Sequence, residues 1–343
     1  MTCSQTSLKP LNTFGLSVSA KSIVYASDTE TLIDSWQDHQ GKPWLLMGGG
    51  SNMLFLDDFD GTVVINQLKG ISVEQTQDNW LIHCAAGENW HDFVQFTIKE
   101  DMPGLENLAL IPGTVGSAPI QNIGAYGVEL KDVCDYVDIL DLTQNKLVRL
   151  THTECLFGYR ESIFKHRYQH GYVITAVGFR LPKCWQPNFS YGPLKAVKET
   201  LTTPKSIFDK VCEIRRSKLP DPAKMGNAGS FFKNPIISTQ AAEAIKQHYP
   251  DAPFYPQNSD QVKIAAGWLI EQAGLKGYQA HGAGVHPQQA LVLVNLGEAQ
   301  PADVVSMAKH VRDTVHQKFS IWLEPEVRFI GTKGEVNAVD TLS

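Results

Sequence analysis

Trp44-Leu-Leu-Met-Gly-Gly-Gly-Ser-Asn52 is an apolar run that feeds without a spacer into three glycines and two small polar residues. Trp44 to Met47 reads as a short buried strand, so the turn starts where the strand ends. Glycine tolerates positive φ and lets the backbone approach a ligand closely. Successive N–H groups in such a turn form a nest for an anion, and Ser51 and Asn52 add side-chain donors. The stretch reads as a phosphate cradle or as a plain turn, and spacing alone does not separate the two. Both standard phosphate motifs are missing. Position 53 is Met where a third glycine would be needed, Gly282-Ala-Gly284 runs into Pro287, and no G-x-x-x-x-G-K-[ST] occurs. A dinucleotide bound here would be held without a Rossmann fingerprint.

Helix and strand signals alternate on both sides of this stretch, which predicts a mixed α and β chain. Ser27 and Glu30 have capping-box spacing ahead of Leu32, Ile33 and Trp36. Thr62 to Ile65, Leu81 to Ala85, Tyr136 to Leu142 and Tyr172 to Leu181 read as strands, and a helix carrying Trp90, Phe93, Val94 and Ile98 follows Gly87. Beyond them, Ile207 to Ile214 mark a helix stopped by Pro220, and Val262 to Ala273 another ended by Gly274. Ala290 to Asn295 is a strand, and Pro301 opens a helix through Val315. Ile321 to Leu323 and Val327 to Ile330 close the chain as strand. Pro187, Pro193 and Pro220 place a boundary within 186–220, between a β-rich half and an α+β domain.

The 343 residues are 43% hydrophobic and 19% charged, with a formal net charge of −6. A chain of this length buries enough surface for two or three domains. Mild acidity argues against nucleic acid as the main partner. The six cysteines include no C-x-x-C pair, so they read as reduced thiols rather than as a metal ribbon or a disulfide framework. No basic start with an apolar run opens the sequence, and no stretch reaches the roughly 18 apolar residues of a membrane span. A cytoplasmic protein is the expectation. Among eleven histidines there is no H-E-x-x-H, and no metal site is expected.

Ile111-Pro-Gly-Thr-Val-Gly-Ser-Ala-Pro-Ile-Gln-Asn-Ile-Gly-Ala-Tyr-Gly127 has four glycines, two prolines and no charge, so it is neither a regular helix nor a central strand. A long segment of this kind inside a compact domain usually has a job. Its make-up suits a flat neutral ligand better than a surface loop, with Gln121 and Asn122 for orientation. Three further segments are weaker. Arg160, in Phe157-Gly-Tyr-Arg-Glu161, can clamp a carboxylate, but alone it reads as an ion pair with Glu161. Ser230, in Asn227-Ala-Gly-Ser-Phe-Phe-Lys-Asn-Pro235, can donate a proton, but alone it reads as a turn cap. Glu324 and Glu326 share a strand face with Arg328. They read as an acid and base pair, as a single proton relay with the second carboxylate on Arg328, or as an edge cluster, which Pro325 favours.

Taken in order, these five segments resemble the UDP-N-acetylenolpyruvoylglucosamine reductase family, and the likeness runs from about residue 9 to residue 340. The resemblance implies an α+β protein. Its FAD-binding fold would be similar to vanillyl-alcohol oxidase, in two α+β lobes (1–68 and 69–215). A C-terminal α+β substrate domain (216–320) and a returning segment (321–343) would follow. It implies non-covalent FAD held by Gly48, Gly49, Gly50, Ser51 and Asn52, and lined by Pro112, Gly113, Gly116, Ser117, Ile120, Gln121, Asn122, Ile123, Gly124, Ala125, Tyr126 and Gly127. NADPH would reduce the flavin and leave. UDP-N-acetylglucosamine enolpyruvate would then accept hydride from N5 at C3 and a proton at C2, giving UDP-N-acetylmuramate for the bacterial cell wall. Arg160 and Glu326 match the residues that stabilise the enolate, with Glu326 protonated or sharing a proton, and Ser230 matches the proton donor. Tyr191 matches a tyrosine loop that closes over the UDP diphosphate in the longer branch of the family. Arg215, Lys218 and Asn234 match substrate-side positions. The family expectation is a cytoplasmic monomer.

Three readings compete with this one. An oxidase or dehydrogenase of the same superfamily would tether its flavin through His or Cys. A hydrolase using Glu324 and Glu326 would need no flavin. A non-catalytic sugar-nucleotide binder would transfer no electrons.

Overall fold

The computed structural model describes residues 6–190, 192–200 and 202–343. The chain divides into two compact units, neither continuous in sequence: one comprises Lys21–Gly49 and Gly61–Ser217, the other the chain up to Ala20 with Gly50–Asp60 and Lys218–Ser343. By their places along the sequence we call them the central and the outer unit. The chain passes from one to the other between Gly49 and Gly50, inside the glycine-rich turn.

The central unit is built on a five-stranded antiparallel sheet in the order Lys146–Thr151, Cys134–Asp141, Tyr172–Pro182, Asn79–Ala85, Ile71–Gln75. Tyr172–Pro182 pairs with a strand on each side and is buried along most of its length. Its Gly178 pairs with Tyr136, and a Cβ there would lie 2.2 Å from the Tyr136 ring, so the ring lies flat where a side chain would stand. The helix Trp90–Lys99 lays Trp90, Phe93, Val94 and Thr97 into this core. Phe93 packs on Phe179 with centroids 4.8 Å apart, and Trp90 donates its indole N–H to Leu108 O at 2.9 Å. A second sheet of three strands runs Ala20–Ala26, Phe59–Asn66, Trp44–Met47. Trp44–Met47 pairs in parallel with Phe59–Asn66, and the expected strand has the bounds found.

The outer unit carries a four-stranded sheet in the order Asn227–Ser230, Val292–Asn295, Ala283–Val285, Gln279–Ala280. Against it lies the helix Pro301–Phe319, with Pro301 in the first turn as expected and Val304, Met307, Ala308, Val311 and Val315 inward. Phe14, Phe231 and Phe329 form an edge-to-face row with centroids about 6 Å apart. Met53–Phe55 pairs in parallel with Arg328–Gly331, which brings a segment from early in the chain beside its last strands.

Three element expectations fail. The first helix is capped by Asp28, whose Oδ1 accepts from Thr31 N at 2.7 Å, rather than by Ser27. Either residue satisfies an N-cap, and the carboxylate reaches the N–H. Val262 belongs to the strand Gln261–Ile264, and the helix starts only at Ala266. A run mixing β-branched and small apolar residues carried both periods there. Ile321 to Leu323 is irregular, and strand begins at Arg328 because Pro325 withholds a ladder N–H.

Candidate active site

In the central unit the two glycine-containing segments pack on one another. A Cβ on Gly48 would lie 2.4 Å from Thr114 Oγ1, and one on Gly49 would lie 3.0 Å from Gly113 Cα. Gly48 thus leaves room for the Thr114 side chain, and Gly49 for the Gly113 backbone. Val115–Ser117 forms a short 3-10 turn with a capping box, in which Ser117 Oγ accepts from Thr114 N at 3.1 Å and donates to Thr114 O at 2.7 Å. Gly116 N donates to Ala86 O, Val115 N to Glu88 O, and Trp90 N to Gly113 O. Gly124–Ala125 and Val128–Glu129 make a hairpin whose turn, Tyr126-Gly127, has positive φ at both residues, as a type I′ turn requires.

Asn122 sits inside the protein, fully buried and with φ +44°. Its Nδ2 donates to Glu129 Oε2 and Gly158 O, both at 3.0 Å, and its Oδ1 accepts from Lys131 N at 2.9 Å. The side chain expected to orient a ligand instead fastens the segment to the turn before Tyr159 and Arg160. Ser162 Oγ adds a bond of 2.6 Å to Ile120 O. Arg160 has φ +53°, donates from Nη2 to Gly124 O at 3.2 Å, and lies 5.7 Å from the Tyr159 ring centroid. Glu161 accepts from Ser162 N at 2.8 Å and from His166 Nε2 at 3.1 Å. Arg160 is thus anchored on the backbone of the uncharged segment, a link that sequence spacing did not show.

In the outer unit Ser230 ends a strand, paired with Val292, and does not cap a turn. The turn before it is built by Asn227, whose Nδ2 reaches Met225 O and Pro220 O while its Oδ1 accepts from Gly229 N. Gly229 takes φ +72° there, which leaves the strand to Ser230. The chain after Ser230 pairs with the one carrying Glu326. Glu326 N donates to Phe231 O at 2.8 Å, Phe232 bridges Pro325, and Lys233 N donates to Glu324 O at 2.9 Å. Asn52 joins this pairing: its Nδ2 donates to Glu326 O at 3.3 Å, and its O accepts from Arg328 N at 3.1 Å. Ser230 and Glu326 therefore belong to one backbone-paired patch.

Arg328 pairs with Glu335, Nη2 to Oε2 at 2.7 Å. Glu324 is largely exposed and lies 3.7 Å from Lys233 Nζ. Asn234 Oδ1 accepts from Ala266 N at 2.9 Å, capping a helix from outside. Arg215 donates from Nε to Leu110 O at 3.2 Å, and burial pushes its pKa down. Lys218 is exposed at the end of its helix. Tyr191 lies outside the described residues. Cys84, Cys134, Cys155 and Cys212 are free and buried, and Cys184 is free and exposed. Burial pushes the Cys155 thiol up to about 12, which leaves it inert as a nucleophile. Sequence reasoning missed Asn227, His91 and Asn188. Asn227 builds the turn before Ser230, whereas His91 accepts from Leu110 N and Asn188 Nδ2 donates to Gly127 O, backbone groups far off in sequence that no local pattern marks.

A family model described as "FAD binding domain" matches residues 20–151, so the fold and its glycine-rich turn define an FAD-binding protein. A second, described as "UDP-N-acetylenolpyruvoylglucosamine reductase, C-terminal domain", matches residues 221–330. The enzymes named UDP-N-acetylenolpyruvoylglucosamine reductase of Escherichia coli K12 and Shigella dysenteriae serotype 1 are each 58% identical over 339 residues, 98% of this chain and 99% of theirs. The chain belongs to the UDP-N-acetylenolpyruvoylglucosamine reductase family, and it is an FAD-dependent oxidoreductase. A crystal structure of the enzyme of that name from Thermus caldophilus has the same fold, with a TM-score of 0.62 at 23% identity over 94% of this chain and 97% of that one. The expected α+β class and FAD-binding fold are therefore those found. Among the described residues no helix is long and apolar enough to cross a membrane.

Proposed function

We propose that Arg160, Ser230 and Glu326 carry the reduction of UDP-N-acetylglucosamine enolpyruvate to UDP-N-acetylmuramate, the step of cell-wall synthesis catalysed in this family. NADPH is the reductant. The observation that carries the assignment is the pairing of the Ser230 strand with the Glu326 segment. It gives a hydroxyl and a carboxyl fixed positions on bonded backbone.

The chain's residues fit a non-covalent FAD. Gly48 and Gly49 expose bare backbone against Gly113 and Thr114, and the segment to Gly127 offers a neutral, backbone-rich surface free of side-chain charge. When bound, FAD supplies hydride from N5 to the vinyl C3 of the substrate. Addition beside a carboxylate builds negative charge on the enolate. Arg160, a fixed fork of donors, balances it, and Glu326 in its protonated form donates a hydrogen bond to it. Ser230 then delivers a proton to C2, where close positioning compensates for a weakly acidic hydroxyl. Tyr191 closes over the diphosphate, and Lys218 and Asn234 serve the substrate side of the site. The enzyme works as a cytoplasmic monomer, with FAD-binding lobes at 1–68 and 69–215, a substrate domain at 216–320 and a returning segment at 321–343.

An anaerobic titration tests this reading. Flavin absorbance should bleach with NADPH and return on adding the enolpyruvyl sugar nucleotide. A flavin that bleaches but does not return with that substrate overturns the substrate assignment. A protein that takes up no flavin overturns the whole reading.

A further inference from the structure

Leu110 immediately precedes the uncharged segment and holds φ +57°, a left-handed conformation that a branched apolar side chain rarely adopts. Two side chains from two helices fasten it. Leu110 N donates to His91 Nδ1 at 3.1 Å, and Arg215 Nε donates to Leu110 O at 3.2 Å. Pinning the N–H and the C=O of one residue fixes the peptide planes on both sides of its Cα, and so its φ and ψ together. His91 is itself held in place, its ring stacked on Phe208 with centroids 5.5 Å apart and planes 6° apart. Phe208 and Arg215 lie about two turns apart on the helix Pro204–Lys218, so one helix face carries both supports.

The conformation cannot dissipate in the next residues. Ile111 precedes a proline and is confined to extended backbone, and Pro112 has its φ locked by its ring. The next residue, Gly113, has φ +117°, and its Cα is the atom that a Cβ on Gly49 would meet at 3.0 Å. Leu110 therefore aims a stiff three-residue arm at the glycine-rich turn.

We infer that His91 and Arg215 are positioning residues for the flavin, clamping Leu110 so that Gly113 and the segment after it meet Gly48 and Gly49 in the geometry FAD requires. The clamp rests on the reading that the segment Ile111 to Gly127 lines the cofactor. It gives Arg215 a task within the central unit different from the substrate contact expected of it. His91 accepts at Nδ1 and so carries its proton on Nε2. Burial holds its pKa below the usual value, and Arg215 and Arg216 act in the same direction against Asp92, which keeps the acceptor form available near neutrality.

The test compares His91→Phe, which keeps the stacked ring and removes the acceptor, with His91→Asn, whose Oδ1 takes the place of Nδ1. The readouts on the folded holoenzyme are FAD affinity and the visible circular dichroism of the bound flavin. His91→Phe should weaken FAD binding roughly tenfold, the size expected for leaving a backbone N–H without its acceptor, and should change the flavin dichroism. His91→Asn should restore both. If His91→Phe binds FAD within twofold of the parent with the same dichroism, the clamp is wrong. Gln121→Ala, within the segment itself, separates the two levels. A flavin signal that moves with Gln121→Ala but not with His91→Phe refutes the clamp and keeps the lining assignment, whereas signals that move with neither overturn both. Should His91→Phe fail to fold, Arg215→Lys, which removes the Nε donor and keeps the charge, is held to the same criteria.

Discussion

Replacing Asn122 probes the connection between the uncharged segment and Arg160. The residue makes three side-chain hydrogen bonds, one to a carboxylate and two to backbone groups, from a fully buried position. Neutral bonds contribute about 0.5–1.5 kcal/mol each and a bond to a charged group about 1.5–3 kcal/mol. Glu129 is partly exposed and also pairs with Lys131, so its share falls at the low end. The lost bonds therefore put the expected cost of Asn122→Gly at roughly 3 kcal/mol, with glycine keeping the left-handed backbone. Asn122→Ala should cost about 1 kcal/mol more, because its Cβ strains the positive φ. For a unit of this size, 3 kcal/mol corresponds to a Tm lower by roughly 6–12 °C. Thermal unfolding of the holoenzyme, followed together by circular dichroism and flavin release, measures it. A loss below about 1 kcal/mol for Asn122→Gly, or a glycine variant less stable than the alanine one, would refute the reasoning. The surviving Asn122→Gly enzyme should also reduce substrate more slowly, because Gly158 loses the bond that steadies the approach to Arg160.

Other substitutions address other parts of the molecule. Ser230→Ala should leave flavin reduction by NADPH nearly intact and slow reoxidation by substrate by at least a hundredfold in stopped-flow absorbance, the low end for general acid catalysis. An unchanged second half-reaction would remove Ser230 as proton donor. Gly116→Ala would place a Cβ 2.5 Å from the Ala86 Cβ, and overpacking of that kind should cost about 1–3 kcal/mol in denaturant unfolding. Acidification should destabilise the fold through His91 and His286, both of which burial holds below the usual histidine value. The unfolded chain binds protons at higher pH than the folded one. Stability is therefore complete above the ordinary histidine range and falls as pH drops through it towards the lowered folded values. His91→Asn should make that slope shallower in pH-dependent urea unfolding.

Elements with a single strong period were legible in the sequence. Trp44–Met47 and Pro301–Phe319 emerge from apolar spacing and a first-turn proline because nothing competes with those signals. The run from Val262 carried two periods, and pairing with Ile236–Ser238 decided for strand. Composition marked the uncharged segment as unusual, since prolines and glycines at those spacings exclude regular elements. It did not reveal that Asn122 turns inward, because an amide suits a buried backbone as well as a ligand. Ser230 read as a turn residue until its pairing with Val292 and the neighbouring Glu326 segment was visible. Pairing between residues that far apart in sequence leaves no local trace. The same holds for the bonds of His91 and Arg215 to Leu110.

The discontinuity of the outer unit sets a schedule for biosynthesis. Asn295 donates to Phe14 O at 2.9 Å across a separation of 281 residues. A ribosome adding about 5–20 residues per second needs roughly 15–55 s to supply the second partner once the first has been made. The central unit is fully encoded by Ser217, so its sheet can close while the early segments still wait. During that interval Phe14, Leu16 and Leu54, all buried in the finished protein, have no core to enter. Nascent chains in this window are where holdase chaperones would act, and where slow codons after Ser217 would lengthen exposure.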